Sequence, residues 1–311
     1  MLRGAYSHIN NFSKFILLIS LVFSFLLFSA LLGIIILVPF YGSGVINLLA
    51  SPDYSNASVI NAMKVIQILN MVGGLLIPTV IFMWLCSPGS EKYARFDKSI
   101  STLTLLLSFF LILLAQPVIG WTNELNSHLS FPGWLSFLEN WMKRTELQAD
   151  HVTEAFLSTT SVKGLLLNIF MIAILPAFAE EILFRGALAS LLKDVTKNMH
   201  LAVFLSAFIF AAIHLQFYGF LPRFLLGLAL GYLFFWSGSL WLPIVAHFTN
   251  NFLSVMVEFL FRRGYIHTNA ENFGMANAAW LTLISLICVS AILYYIHKLC
   301  ILRSGDQNTF D

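Results

Sequence analysis

Charge is scarce in this 311-residue sequence: Asp, Glu, Lys and Arg together make up 10% of it, where a soluble globular domain carries roughly 25%. That shortage excludes the soluble classes, since 59% of the residues are hydrophobic and too few polar ones remain to cover a water-exposed surface. Charge of one sign is lacking as well. Seventeen Lys and Arg face fifteen Asp and Glu, and the basic residues are scattered, so no patch exists to track a phosphate backbone and no nucleic-acid partner is expected. Cysteine is nearly absent. Cys86, Cys288 and Cys300 stand alone in or beside apolar runs, without the CxxC spacing of a thiolate metal site and without the numbers for a disulfide framework. Internal repeats and low-complexity segments are also missing.

Long apolar runs, in contrast, are abundant. Only a helix can satisfy its own backbone in hydrocarbon, and about 20 residues cross a bilayer. Runs near 15–40, 59–86, 99–121, 163–192, 200–217, 220–237, 240–261 and 277–300 meet that length. The expected fold is therefore an all-α polytopic membrane protein of about eight transmembrane helices. The first run is too long for a cleavable signal core and is read as a retained helix. An even number of crossings puts both termini on one side. Arg3, Lys14, Lys92, Arg95, Lys98, Lys193, Lys197, Lys298 and Arg303 fall on that side, which the positive-inside rule makes cytoplasmic, although Arg223, Arg262 and Arg263 count the other way. The expected location is the cell (plasma) membrane of a bacterium. The longest polar stretch, 122–162, carries Trp134 and Trp141, and within it 133–157 reads either as an amphipathic helix in the interface or as an ordinary loop.

A charged side chain at bilayer depth costs at least ~2.5–3.5 kcal/mol, so each one is a functional candidate. Few qualify. The fourth run holds Glu180, Glu181 and Arg185, the fifth holds Phe210 and His214, and the seventh holds His247, Asn250 and Asn251, with Glu258 further along. Glu181 and Arg185 are four residues apart on one helix face and can neutralise each other. Glu180 is rotated about 100° away, has no partner on its own helix, and must find one elsewhere; the two histidines are the obvious candidates. At 1.5 Å per residue, Glu180 and His214 both lie roughly 20 Å from the turn near 193–200. His247 and Asn251 reach a comparable layer, so the four side chains can converge in one site, expected to open toward the cytoplasmic side.

Such a site supports hydrolysis. Water held between Glu180 and His214 is a competent nucleophile for a peptide carbonyl, and His247 and Asn251, one turn apart, can stabilise the oxyanion. Two His and one Glu are equally a catalytic zinc set, Glu180, His214 and His247, and the sequence leaves both versions open. Other hydrolase designs lack their residues. No HExxH occurs, no Asp lies within the central apolar runs, and no GxSxG is present, which removes zincin-like, paired-aspartate and serine designs.

Taken in order on successive helices, Glu180-Glu181-xxx-Arg185, Phe210-xxx-His214 and His247-xxx-Asn251 resemble the motifs of the CPBP family, the CAAX proteases and bacteriocin-processing enzymes, also called the Abi family. The resemblance covers about residues 160–262. It implies an intramembrane endopeptidase in which Glu180 and His214 position the attacking water, His247 and Asn251 form the oxyanion site, Glu181 and Arg185 make a structural ion pair and Phe210 supports the motif. It implies a membrane-associated protein or peptide substrate, whether prenylated or a leader peptide, and leaves the cofactor open between none and zinc. Some relatives are described as non-proteolytic, so an immunity factor or scaffold is the alternative reading; a proton-relaying transporter is a third, against which the lack of repeats counts. The implied division is an N-terminal membrane part to residue 160, a catalytic core at 161–265 and a last helix with its tail at 266–311.

Overall fold

The computed structural model describes residues 3–87, 93, 95–270, 272–275 and 279–307. Within them every regular element is helical. Seven helices are long and apolar enough to cross a membrane: 11–50, 57–86, 102–127, 162–196, 220–237, 241–262 and 279–302. The fifth expected run differs. It forms only a 14-residue helix, Met199–Ala212, about 21 Å long at 1.5 Å per residue and so shorter than a full span.

In chain order the helices are α1 (Asn11–Tyr41), α2 (Val45–Ala50), α3 (Ala57–Leu69), α4 (Ile77–Cys86), α5 (Thr102–Ser127), α6 (Ser136–Leu157), α7 (Val162–Asn168), α8 (Leu175–Glu181), α9 (Ser190–Thr196), α10 (Met199–Ala212), α11 (Phe220–Ser237), α12 (Trp241–Arg262) and α13 (Ala279–Gln307). π-Helical segments at Asn70–Leu76, Ile169–Ile174 and Ile182–Ala189 join α3 to α4, α7 to α8 and α8 to α9 without breaking the rod. Their wider turns occur where a helix is under local constraint, often at functional sites. Pro78 and Pro176 enter just after two of these segments, where the missing amide is least costly.

Capping residues mark five of the helix starts. Asn10, Asn56, Ser101, Ser161 and Asn198 each accept an amide of the following first turn, which removes donors that a helix start leaves unpaired. The rod 162–196 is the centre of the molecule. One cluster, with Phe82, Leu183, Phe184, Leu191 and Phe210, packs it against α1, α4 and α10. Another, with Leu111, Leu230, Leu242 and Ile296, joins α5, α11, α12 and α13. α1 and α13 stay peripheral and turn large apolar side chains such as Phe23, Ile35, Leu283 and Ile287 outward, as helices facing lipid do.

The two ends of the bundle are distinct. At one end the amides of Gly4 and Tyr6 donate to the carbonyls at the close of α4, and Leu240 donates to Arg95, so the N-terminal segment, the 95–100 strip and the turn before α12 lie together. Lys92 and the side chain of Arg303, used in the orientation argument, lie outside the described residues. At the opposite end sits α6. The stretch read as helix or loop is thus a helix, bonded through Arg262 to Glu154 and through Gln216 to Asp150, with Trp134 and Phe137 facing outward.

Candidate functional site

Three of the four expected site residues come together. Glu180 lies in the last turn of α8, His247 in the second turn of α12, and His214 two residues past the end of α10. Glu180 Oε2 is 3.8 Å from His247 Nε2 and 4.0 Å from His214 Nε2, separations too long for direct hydrogen bonds and suited to one bridging water. Both rings are fixed from behind. His214 Nδ1 is 2.6 Å from the Phe210 carbonyl, and because a carbonyl only accepts, Nδ1 carries the proton and Nε2 turns its lone pair toward Glu180. His247 Nδ1 is 2.7 Å from Glu181 Oε1, which orients that ring in the same way.

The ion pair expected from the four-residue spacing is present and has a third member. Arg185 Nη1 donates to Glu181 Oε1 at 2.7 Å, the same oxygen that His247 approaches. Arg185 also donates to the Gly227 carbonyl at 3.2 Å and lies over the Phe210 ring at 4.7 Å. Both charges are fully buried, which is tolerable only because each is matched. Phe210 is more than support. Its carbonyl holds His214, and its ring meets Phe184, His214 and His247 edge-on.

Asn251, one turn beyond His247 on α12, makes no hydrogen bond to this trio among the described residues. Its side-chain amide donates to the Ile172 carbonyl at 3.1 Å and accepts from Asn250, leaving one amide hydrogen for another acceptor. Glu258 is drawn away to Arg262 and the amide of Ala270, and is structural.

The expected opening is corrected. His214 is 28% exposed while Glu180 and His247 are 8% and 4%, so the site opens on the His214 side. That is the α6 end, not the end that holds the 193–200 turn. The depth of roughly 20 Å is nearly the whole length of the short α10, which carries His214 clear of the helix into the 213–219 turn.

That turn is held by residues outside the expected site. Leu215 has φ +54°, a left-handed conformation that side chains disfavour. Glu146 of α6 accepts the amide of Tyr218 at 2.7 Å, Asp150 accepts from Gln216, and Arg223 donates to the Gln216 side chain and to the carbonyls of Gln216 and Gly219. Asn126 of α5 grips both Phe217 and Leu221. Desolvation pushes the Glu146 carboxyl above its ordinary range. Only the polar letters inside 122–162 could have hinted at this clamp.

The donor chemistry of Glu180, His214 and His247 suits zinc, but among the described residues no three His, Cys, Asp or Glu groups gather closely enough to hold a metal ion. Ligands about 2.0–2.2 Å from a tetrahedral ion stand roughly 3.4 Å apart, closer than the separations here.

Fold and cluster together define a polytopic α-helical membrane protein with a buried carboxylate–imidazole cluster. Residues 162–253 match the family model described as Rce1-like, type II CAAX prenyl endopeptidase Rce1-like, so that segment is similar to this family. A relative in Bacillus subtilis (strain 168), named Uncharacterized protein YpbD, is 33% identical over 85 residues, which cover 26% of this chain and 40% of that protein. No solved structure matches.

Proposed function

We propose that this chain is an intramembrane endopeptidase, of the CAAX prenyl protease-like type, in a bacterial plasma membrane with both termini cytoplasmic. The observation that carries the reading is the facing of Glu180 Oε2 by the Nε2 atoms of two histidines at 3.8 and 4.0 Å, each ring locked through its other nitrogen. A water between Glu180 and His214 gives its proton to the Glu180 carboxylate as its oxygen bonds to the scissile carbonyl carbon. The tetrahedral oxyanion takes a hydrogen bond from Asn251 and lies against the His247 ring, which Glu181 holds through Nδ1. Collapse breaks the C–N bond, and the proton on Glu180 passes to the leaving amine. Residues 161–265 form the catalytic core in this reading, and the substrate is a membrane-associated protein or peptide, prenylated or a leader.

The test is cleavage of fluorogenic prenylated and non-prenylated peptides by purified protein in detergent, comparing wild type with Glu180→Gln. Cleavage by wild type and a loss of about 10²–10⁴-fold in the variant is expected, the usual weight of a general base. Equal rates in the two proteins would remove Glu180 from the chemistry.

A further inference from the structure

A cavity lies at the end of the bundle away from α6, with a volume of about 820 Å³. It is bounded by the 95–101 strip, the start of α5, the end of α11 and residues 299–302 of α13. Three apolar spans terminate around it, so it sits where the chain leaves hydrocarbon and meets the lipid headgroups. Its lining is divided accordingly. Arg95 and Lys98 supply cations, Ser99 and Ser101 hydroxyls, and Phe235 and Leu302 apolar walls.

The charges are uneven in a way that favours an anion. Asp97 also lines the cavity, and Asp194 lies near enough to act on Arg95, so Arg95 is partly compensated where it rests over the Phe234 ring at 5.3 Å. Lys98 is not. Among the described residues no carboxylate lies within 4.0 Å of its ammonium group, which instead sits over Gly238, 3.2 Å from where a side chain would begin. That glycine is left-handed, with φ +62°, so it both closes α11 and leaves room for the lysine.

We propose that this cavity is a binding site for the phosphate group of an anionic phospholipid, with Lys98 as the principal cation and the apolar wall against the acyl chains. Basic pockets between spans at the cytoplasmic face take such headgroups, and each Lys or Arg near the surface contributes about 1 kcal/mol. The site is independent of the peptidase reading, because none of its lining residues belongs to the Glu180 cluster.

The experiment is native mass spectrometry of the full-length protein released from detergent with equimolar phosphatidylglycerol and phosphatidylcholine, repeated for Lys98→Met and for Lys298→Met. Lys298 is exposed on the last helix and does not line the cavity, so it controls for general surface charge. Wild type and Lys298→Met should retain phosphatidylglycerol in preference, and Lys98→Met should lose about fivefold, the equivalent of one such cation. Equal retention of the two lipids, or equal losses in the two variants, would overturn the proposal. A melting temperature raised by inorganic phosphate without lipid preference would assign the cavity to a soluble phosphate and overturn the lipid source.

Discussion

Adjacent glutamates with opposite fates offer the sharpest check on the site. Glu181 is 0% exposed and its Oε1 is shared at 2.7 Å by Arg185, itself 1% exposed, and by His247. Glu181→Gln removes the charge and leaves the Arg185 guanidinium buried without a counter-charge, facing a neutral amide oxygen, the Gly227 carbonyl and the Phe210 ring. Breaking one side of such a pair costs about 3–5 kcal/mol. Glu180 has no group within hydrogen-bonding distance among the described residues, so Glu180→Gln keeps the shape and forfeits no bond, and its cost should stay within about 1 kcal/mol. Unfolding in mixed micelles titrated with SDS, run beside peptide cleavage, separates the two: Glu181→Gln should lose stability and activity, Glu180→Gln activity alone. The double change Glu181→Leu with Arg185→Met should recover much of the stability, since well-packed apolar residues replace buried ion pairs at little cost, yet stay inactive because His247 has lost the acceptor that orients it. A Glu181→Gln protein as stable as wild type would refute the buried-pair reasoning.

Leu215→Gly relieves the left-handed backbone beside His214 and should raise stability by about 1 kcal/mol; a variant less stable than wild type by thermal melting would show that the leucine side chain, not the strain, governs the turn. Glu146→Ala frees the Tyr218 amide and loosens the turn that carries His214, so kcat should fall severalfold with KM little changed, and an unchanged kcat would separate α6 from the reaction. Because burial raises the Glu146 carboxyl above its unfolded value, the folded protein binds the extra proton and stability contributed by this group is present at low pH and lost as pH rises through the raised value. The wild-type melting temperature should therefore fall relative to Glu146→Gln across that window, and parallel curves would refute the sign. Cleavage should survive a chelator, given that no three ligands stand at metal spacing; loss in chelator with recovery on adding zinc would reverse that conclusion.

Where the sequence was legible, one physical constraint acted alone. Hydrocarbon demands long apolar helices, so seven spans followed from length and composition, and α10 was overestimated because apolar residues continue through Ile213 and Leu215 after the helix has ended. Nothing in those letters signals the left-handed Leu215. Spacing located the Glu181–Arg185 pair, since four residues on one helix fix a direction. It could not show that His247 belongs to the same oxygen, because that contact depends on how α12 packs against α8. The opening of the site was misread for a related reason: depth was counted along one helix, whereas access is decided by what covers the far turn. What covers it is α6, a segment whose polar composition alone allowed either a loop or a helix. The letters of the Glu180 cluster lie inside the membrane runs, but the turn bearing His214 is clamped by Glu146 and Asp150 from outside them. A change on that surface helix should therefore alter chemistry at Glu180 without touching the cluster.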